Sequence, residues 1–232
     1  WDDEHRTRQT ARNARARLVR GITSIRENGR KNYTMFRLRD AINQGIVVGP
    51  RMVLCGRPVA IIGGHMGYFG SEVTGPNETR AMTRQLIKEG ADYIKVTATG
   101  GSTRTSFPLK PSFSVEELEA ITEEAHKFGK LTATHCVSSE GIANSLDANV
   151  DMIIHCVYKD GDGTDIFRKD IAERIGLSQS ALSQHLARLR EEGLVAFTRD
   201  AQVLRYRIAD ARIEALPATL YQLHCTEASG QH

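Results

Sequence analysis

Asp92-Tyr93-Ile94-Lys95-Val96, Leu131-Thr132-Ala133-Thr134-His135-Cys136 and Asp151-Met152-Ile153-Ile154-His155-Cys156 are three short apolar runs, each with a metal-ligand type of side chain at or near its end. The last two have one form: an apolar strand pattern, a His at its end, then a Cys. A helix-sized segment separates each run from the next. Strands alternating with helices at this spacing predict a parallel sheet with crossover helices, so the fold class is α/β. Strand-end side chains in such units converge on one site, as they do in a barrel.

Upstream, residues 5–20 read as a helix with Ala11, Ala14 and Leu18 on one side. Arg6, Arg8, Arg12, Arg15, Arg17 and Arg20 cover the rest, a solvated face. Residues 22–26 have strand character, 35–48 suggest a helix stopped by Gly49-Pro50, and 52–54 and 59–62 are buried-strand candidates. They lead into Gly63-Gly64-His65, where missing side chains allow close backbone approach. Residues 76–89 read as a helix stopped at Gly90. After strand 92–97, Thr99-Gly100-Gly101-Ser102 opens a Ser/Thr/Pro-rich loop expected to be flexible. Ser114-Val115-Glu116-Glu117 then predicts a capping box at the head of a helix ending at Gly129. A short helix around 141–146 separates strands 131–135 and 150–155.

Downstream the alternation stops. Lys159-Asp160-Gly161-Asp162-Gly163-Thr164 is a polar, glycine-bearing linker. Residues 169–176 and a second helix running to about Glu192 fit a helix-turn-helix, with Gly193 closing it. Gln179, Ser180, Ser183, Gln184 and His185 lie early in that second helix, where base edges are read, and Arg188 and Arg190 are placed for phosphates. Residues 194–198 and 203–208 alternate around a loop at 199–202 and read as a hairpin, whose Arg199, Arg205 and Arg207 suit a wing along the DNA backbone. A last helix over 211–225 carries Pro217, which should kink it.

At 232 residues the chain is long enough for one large α/β domain or two smaller ones. A net charge of +3 is too small to argue for nucleic acid by itself. Cys55, Cys136, Cys156 and Cys225 show no CxxC pairing, which excludes a zinc knuckle or a disulfide framework as an organising principle. No apolar run is long enough to span a membrane and no signal peptide is visible, so a cytoplasmic location is expected.

Residues about 10–157 resemble the middle of an amidohydrolase-superfamily enzyme of the imidazolonepropionase and Xaa-Pro dipeptidase type. The resemblance rests on Gly49-Pro50-Arg51, Gly63-Gly64-His65, Asp92–Val96 with Gly100-Gly101, Thr134-His135 and Ile154-His155. It implies a partial (β/α)8 barrel, about strands two to six, and zinc held by Lys95, His135 and His155, with Lys95 carboxylated and one or two ions bound. It also implies that His65 sits near a small amide or dipeptide substrate. The family's first-strand His-x-His pair and eighth-strand Asp have no counterpart here, so hydrolysis is expected to be impaired.

Residues 170–225 are similar to the C-terminal two-thirds of an ArsR-type winged-helix repressor, through Leu177–Leu186 and Leu189–Val195. That resemblance implies double-stranded DNA as partner, a homodimer, and a redox-sensing role for Cys225. The expected organisation is an amidohydrolase-like barrel segment over 1–157, a junction at 158–168 and a small α+β winged-helix segment over 169–232. Three functions follow as expectations: a fused hydrolase and DNA-binding chain, a transcriptional regulator using the barrel segment as scaffold or sensor, or an inactive fusion of two gene fragments.

Overall fold

The computed structural model describes residues 3–156, 193, 195–200 and 203–209. The chain divides into two compact units, Trp1–Ile171 and Ala172–His232. In the first, the described elements are α1 (Asp3–Val19), β1 (Ser24–Glu27), α2 (Thr34–Asn43), β2 (Arg51–Leu54), β3 (Ala60–Ile61), a 3₁₀ turn (Gly67–Phe69), β4 (Glu72–Val73), α3 (Gly75–Glu89), β5 (Ile94–Thr97), α4 (Val115–Lys127), β6 (Thr132–Cys136), α5 (Ser139–Asp147) and β7 (Met152–His155). The second has the antiparallel pair β8 (Val195–Asp200) and β9 (Val203–Ile208). The helix-turn-helix residues from Gln179 to Arg188, and Cys225, lie outside the described residues.

The strands of the first unit run parallel and follow chain order. β1 pairs with β2, and β5 with β6 and then β7. Between β2 and β5 the join is made by single residues: Asp92 N–H donates to the Leu54 carbonyl at 2.7 Å, and Val59 bonds to Lys95 and Thr97. α2, α3, α4 and α5 are the crossovers. Two aspartates set the register by the same device. Asp92 Oδ2 accepts from Leu54 N–H on the preceding strand at 2.8 Å, and Asp151 Oδ2 accepts from Thr132 N–H at 2.7 Å. One carboxylate satisfies a backbone donor at the end of β2 and the other a donor at the start of β6.

Alternation along the strands divides the side chains between two faces. Leu54, Ile94, Val96, Cys136 and Ile153 pack outward against the helices with Leu38, Leu86, Leu118, Ile121 and Ile142. Cys55, Tyr93 and Ala133 form a smaller inner cluster with Met152 and Ile154. Both faces of β5 and β6 are therefore buried, as expected for a parallel sheet under helices. Lys95 and His135 belong to the inner set, one step along from Tyr93 and Ala133.

Several expectations need correction. The helix read over 35–48 ends at Asn43, because Gly45 adopts a left-handed φ of 74° and Ile46 N–H turns back to the Ala41 carbonyl. Ile46 and Val48, which extended the apolar pattern, are exposed. The loop placed at 199–202 is shorter, since the ladder continues to Asp200 opposite Val203. The 3₁₀ turn and β4 were not anticipated. The loop expected to be flexible is tied down: Ser106 Oγ donates to the Gly101 and Thr103 carbonyls, and Ser112 N–H to the Ala98 carbonyl. The capping box is present, with Ser114 Oγ accepting from Glu117 N–H at 3.2 Å and Glu117 accepting from Ser114 N–H at 2.8 Å.

Candidate functional site

The C-terminal ends of β5, β6 and β7 open into a cleft of about 580 Å³, lined by Asn28, His65, Met66, Lys95, Gly101, Ser102, Pro108, His135, Val137, Ile154 and His155. Lys95, His135, His155 and His65, the four residues singled out from the sequence, all line it. The His65 and His135 rings are 4.5 Å apart between centroids, and His135 and His155 are 4.8 Å apart. Lys95, His135 and His65 are buried, whereas His155 is exposed at the rim.

The two strand-end histidines are not in register. His135 pairs with Ile154, and His155 with Cys136. Regular alternation would therefore turn His155 away from the face that His135 occupies. It reaches the cleft because the strand ends in left-handed backbone, with φ of 69° at His155 and 49° at Cys156. Met66, beside His65, is also left-handed at 61°. Such conformations cost roughly 1–3 kcal/mol each for residues other than glycine.

Polar contacts fix two of the imidazoles. His135 Nε2 donates to the Gly100 carbonyl at 2.9 Å. His65 Nδ1 is 2.9 Å from Thr103 Oγ1, and Met66 N–H donates to that same hydroxyl at 3.1 Å. Gly101 makes room for His65, since a Cβ there would lie 2.7 Å from three of its ring atoms. Gly100 and Gly101 were legible as a motif. Thr103, Asn28 and Met66 were missed, and a loop threonine after Gly-Gly-Ser carries no signal that would single it out.

The cleft is electrostatically basic. Burial lowers Lys95 from 10.5 to about 8, with Arg26 adding to the effect and Cys55 and Cys136 opposing it. Burial lowers His135 to about 4, against the Gly100 hydrogen bond and with help from His65, Lys95 and His155. Burial, then Lys95 and His155, also lower His65. Both shifts favour the neutral forms: the His135 imidazole loses its proton more readily, and so does the Lys95 ammonium. No Asp or Glu of the described residues lines the cleft, and no described side chain pairs with the Lys95 amine.

Among the described residues no group of three or more His, Cys, Asp or Glu is arranged to hold a metal ion. The donor chemistry agrees. His135 Nε2 is committed to a carbonyl, and a protonated lysine is no ligand. As unmodified side chains these residues do not form a zinc site. What they offer is an amine, imidazole donors and lone pairs in a partly desolvated cleft, suited to binding and polarising an oxygen acceptor.

Of the expected DNA-contacting residues, Arg199 and Arg205 fall on the β8–β9 ladder, where Arg199 pairs with Leu204 and Arg205 with Thr198. Among the described residues no helix is long and apolar enough to cross a membrane.

The amidohydrolase family profile matches residues 5–213. Ochratoxinase from Aspergillus niger is 29% identical over 188 residues, covering 66% of this chain and 38% of the relative. The chain thus spans little more than a third of that relative's length. The HTH-type transcriptional regulator YgaV of Escherichia coli K12 is 40% identical over 74 residues, covering 32% of this chain and 73% of the regulator. A crystal structure of a Xaa-Pro dipeptidase with methionine bound in its active site superposes with a TM-score of 0.57 at 26% identity, over 74% of this chain and 52% of that one.

Proposed function

The chain belongs to the amidohydrolase family, and from that membership we propose a fused chain: a C–N bond hydrolase segment with impaired turnover, joined to a DNA-binding segment. The observation that carries the first half is the convergence of Lys95, His135, His155 and His65 on one cleft from consecutive parallel strands and the loop beside them. Parallel strands in chain order with helical crossovers support a partial (β/α)8 barrel, about strands two to six. The substrate class is a small amide or dipeptide. The hydrolase segment is 1–157, the junction 158–168 and the winged-helix segment 169–232. The family match runs on to residue 213; the boundary is drawn earlier because the sequence pattern of alternating strand and helix breaks after Cys156.

Lys95 carboxylation would supply the anionic oxygens that the cleft lacks. Free amine adds CO2 at nitrogen and releases a proton, and the resulting carbamate would complete a set with His135 and His155. Zinc bound there would supply Lewis-acid chemistry. Impairment follows from the donor set: no described carboxylate stands by to handle the proton of an attacking water. Gln179, Ser180, Ser183, Gln184, His185, Arg188, Arg199 and Arg205 would read and hold double-stranded DNA as an ArsR-type wing and helix do. Cys225 would report redox state, in a homodimer in the cytoplasm.

A second reading is a transcriptional regulator that uses the barrel segment as scaffold or sensor. The coverage favours it: 73% of the regulator relative against 38% of the hydrolase relative.

One preparation tests both halves. Protein loaded with zinc and bicarbonate is assayed for metal content and for hydrolysis of methionyl-proline. We expect less than one zinc per chain and negligible turnover; about two zinc per chain with sustained turnover overturns the impairment. Fluorescence anisotropy on duplex DNA should show salt-sensitive binding. Binding that is unchanged by Gln184→Ala and Arg188→Ala refutes the winged-helix assignment.

A further inference from the structure

Among the described residues His65 hydrogen-bonds through one ring nitrogen. Thr103 Oγ1 is 2.9 Å from Nδ1, and Thr103 N–H donates to the same Nδ1 at 3.4 Å. The hydroxyl can serve either tautomer, because its hydrogen rotates. The backbone N–H cannot: its hydrogen is fixed on the peptide and points at Nδ1. A hydrogen on Nδ1 would set two donors against each other. Met66 N–H donating to Thr103 Oγ1 at 3.1 Å completes a consistent set, leaving the hydroxyl hydrogen for Nδ1.

From this network we propose that Thr103 is a positioning residue which holds His65 in the Nε2–H tautomer, making His65 a hydrogen-bond donor to a ligand oxygen. A lone pair at Nε2, as metal binding or general-base chemistry would need, is then absent. The Nε2–H has no protein partner among the described residues, and the ring lines the cleft beside Lys95 and His135. The acceptor it suits is an amide carbonyl or carboxylate oxygen. Gly101 packs directly against the ring, because a Cβ there would lie 2.7 Å from its Cδ2, Cγ and Nδ1 atoms. The ligand half of this inference rests on the hydrolase-type reading of the cleft; the tautomer does not.

The test separates the two. Long-range ¹H–¹⁵N correlation on histidine-labelled full-length chain at mildly alkaline pH should show a pyridine-like Nδ1 and a pyrrole-like Nε2 for His65. The Nδ1 shift should be displaced by its accepted hydrogen bonds. Thr103→Val, which keeps the backbone N–H, should lose the hydroxyl's share of that displacement, and Thr103→Ser should retain it; circular dichroism checks that both variants fold. A pyrrole-like Nδ1 in the unaltered chain, or a Thr103→Val spectrum identical to it, overturns the proposal. Half-saturation by methionyl-proline, read from the same signals, should rise about fivefold in Thr103→Val, the loss of one net hydrogen bond, and stay near the original in Thr103→Ser. If methionyl-proline does not bind the unaltered chain, the ligand half falls and the nitrogen shifts still decide the role of Thr103.

Discussion

Replacing Lys95 by Met should stabilise the chain, and the gain should vanish in alkali. Lys95 is 2% exposed, and burial lowers its pKa from 10.5 to about 8. Below pH 8 the amine is protonated in both folded and unfolded chains, so folding must desolvate an ammonium. A shift of this size corresponds to about 3 kcal/mol at 1.36 kcal/mol per unit. Between pH 8 and 10.5 the folded chain carries the neutral amine while the unfolded chain still binds the proton, so the cost falls. Above 10.5 both are neutral and the cost is gone. Methionine has similar length and no charge, and it would meet Tyr93, Ala133 and Ile154 without that penalty. Urea denaturation of both chains at pH 7 and near pH 10 should therefore show Lys95→Met more stable by about 2–3 kcal/mol at pH 7. Its advantage should shrink to a fraction of that near pH 10. Intact mass must first show the amine uncarboxylated. A destabilising substitution, or a gain of equal size at both pH values, would refute the claim that Lys95 is held in the cleft against its solvation preference.

Other outcomes follow from single contacts. Gly101→Ala puts a Cβ against the His65 ring, so it should cost about 1–3 kcal/mol and shift the His65 ring signals more than those of His155. Glu124 is buried between α3 and α4 and is lowered to about 2, chiefly by its hydrogen bond from Arg84, with Lys127 and Arg80 helping. Because Arg84 and Lys127 are mostly exposed, Glu124→Gln should cost about 1 kcal/mol at pH 7. That difference should persist down to pH 4.5 and fade as pH drops toward 2, which denaturant titrations along the acid limb would read.

Much of the first unit was legible because its signals are local. The capping box at Ser114, the stop at Gly90 with its φ of 102°, and the apolar strand runs each specify structure within a few residues. The misreadings share a different cause. Hydrophobic periodicity ran on through Ile46 and Val48, but a left-handed Gly45 ended α2 regardless of what followed. The β8–β9 ladder extends through Arg199 and Asp200, where alternation cannot reveal that pairing continues. β4, which pairs with β3 over two residues, is too short for any periodic signal.

The site divides along the same line. Lys95 and His135 follow the alternation that also sends Tyr93 and Ala133 inward, so sequence spacing suffices to bring them together. His155 does not: its register partner is Cys136, and only a left-handed strand end returns its ring to the cleft. The other left-handed residues sharpen the point. Asn32 and Asn149 are of a type that adopts this conformation readily. Met66 and Cys156 are not, and Met66 lines the cleft directly, as does the left-handed His155. Stability alone gives no reason to place a buried amine that has no side-chain partner among the described residues beside left-handed backbones. Their concentration around one cleft is what the proposed ligand site would require of the backbone.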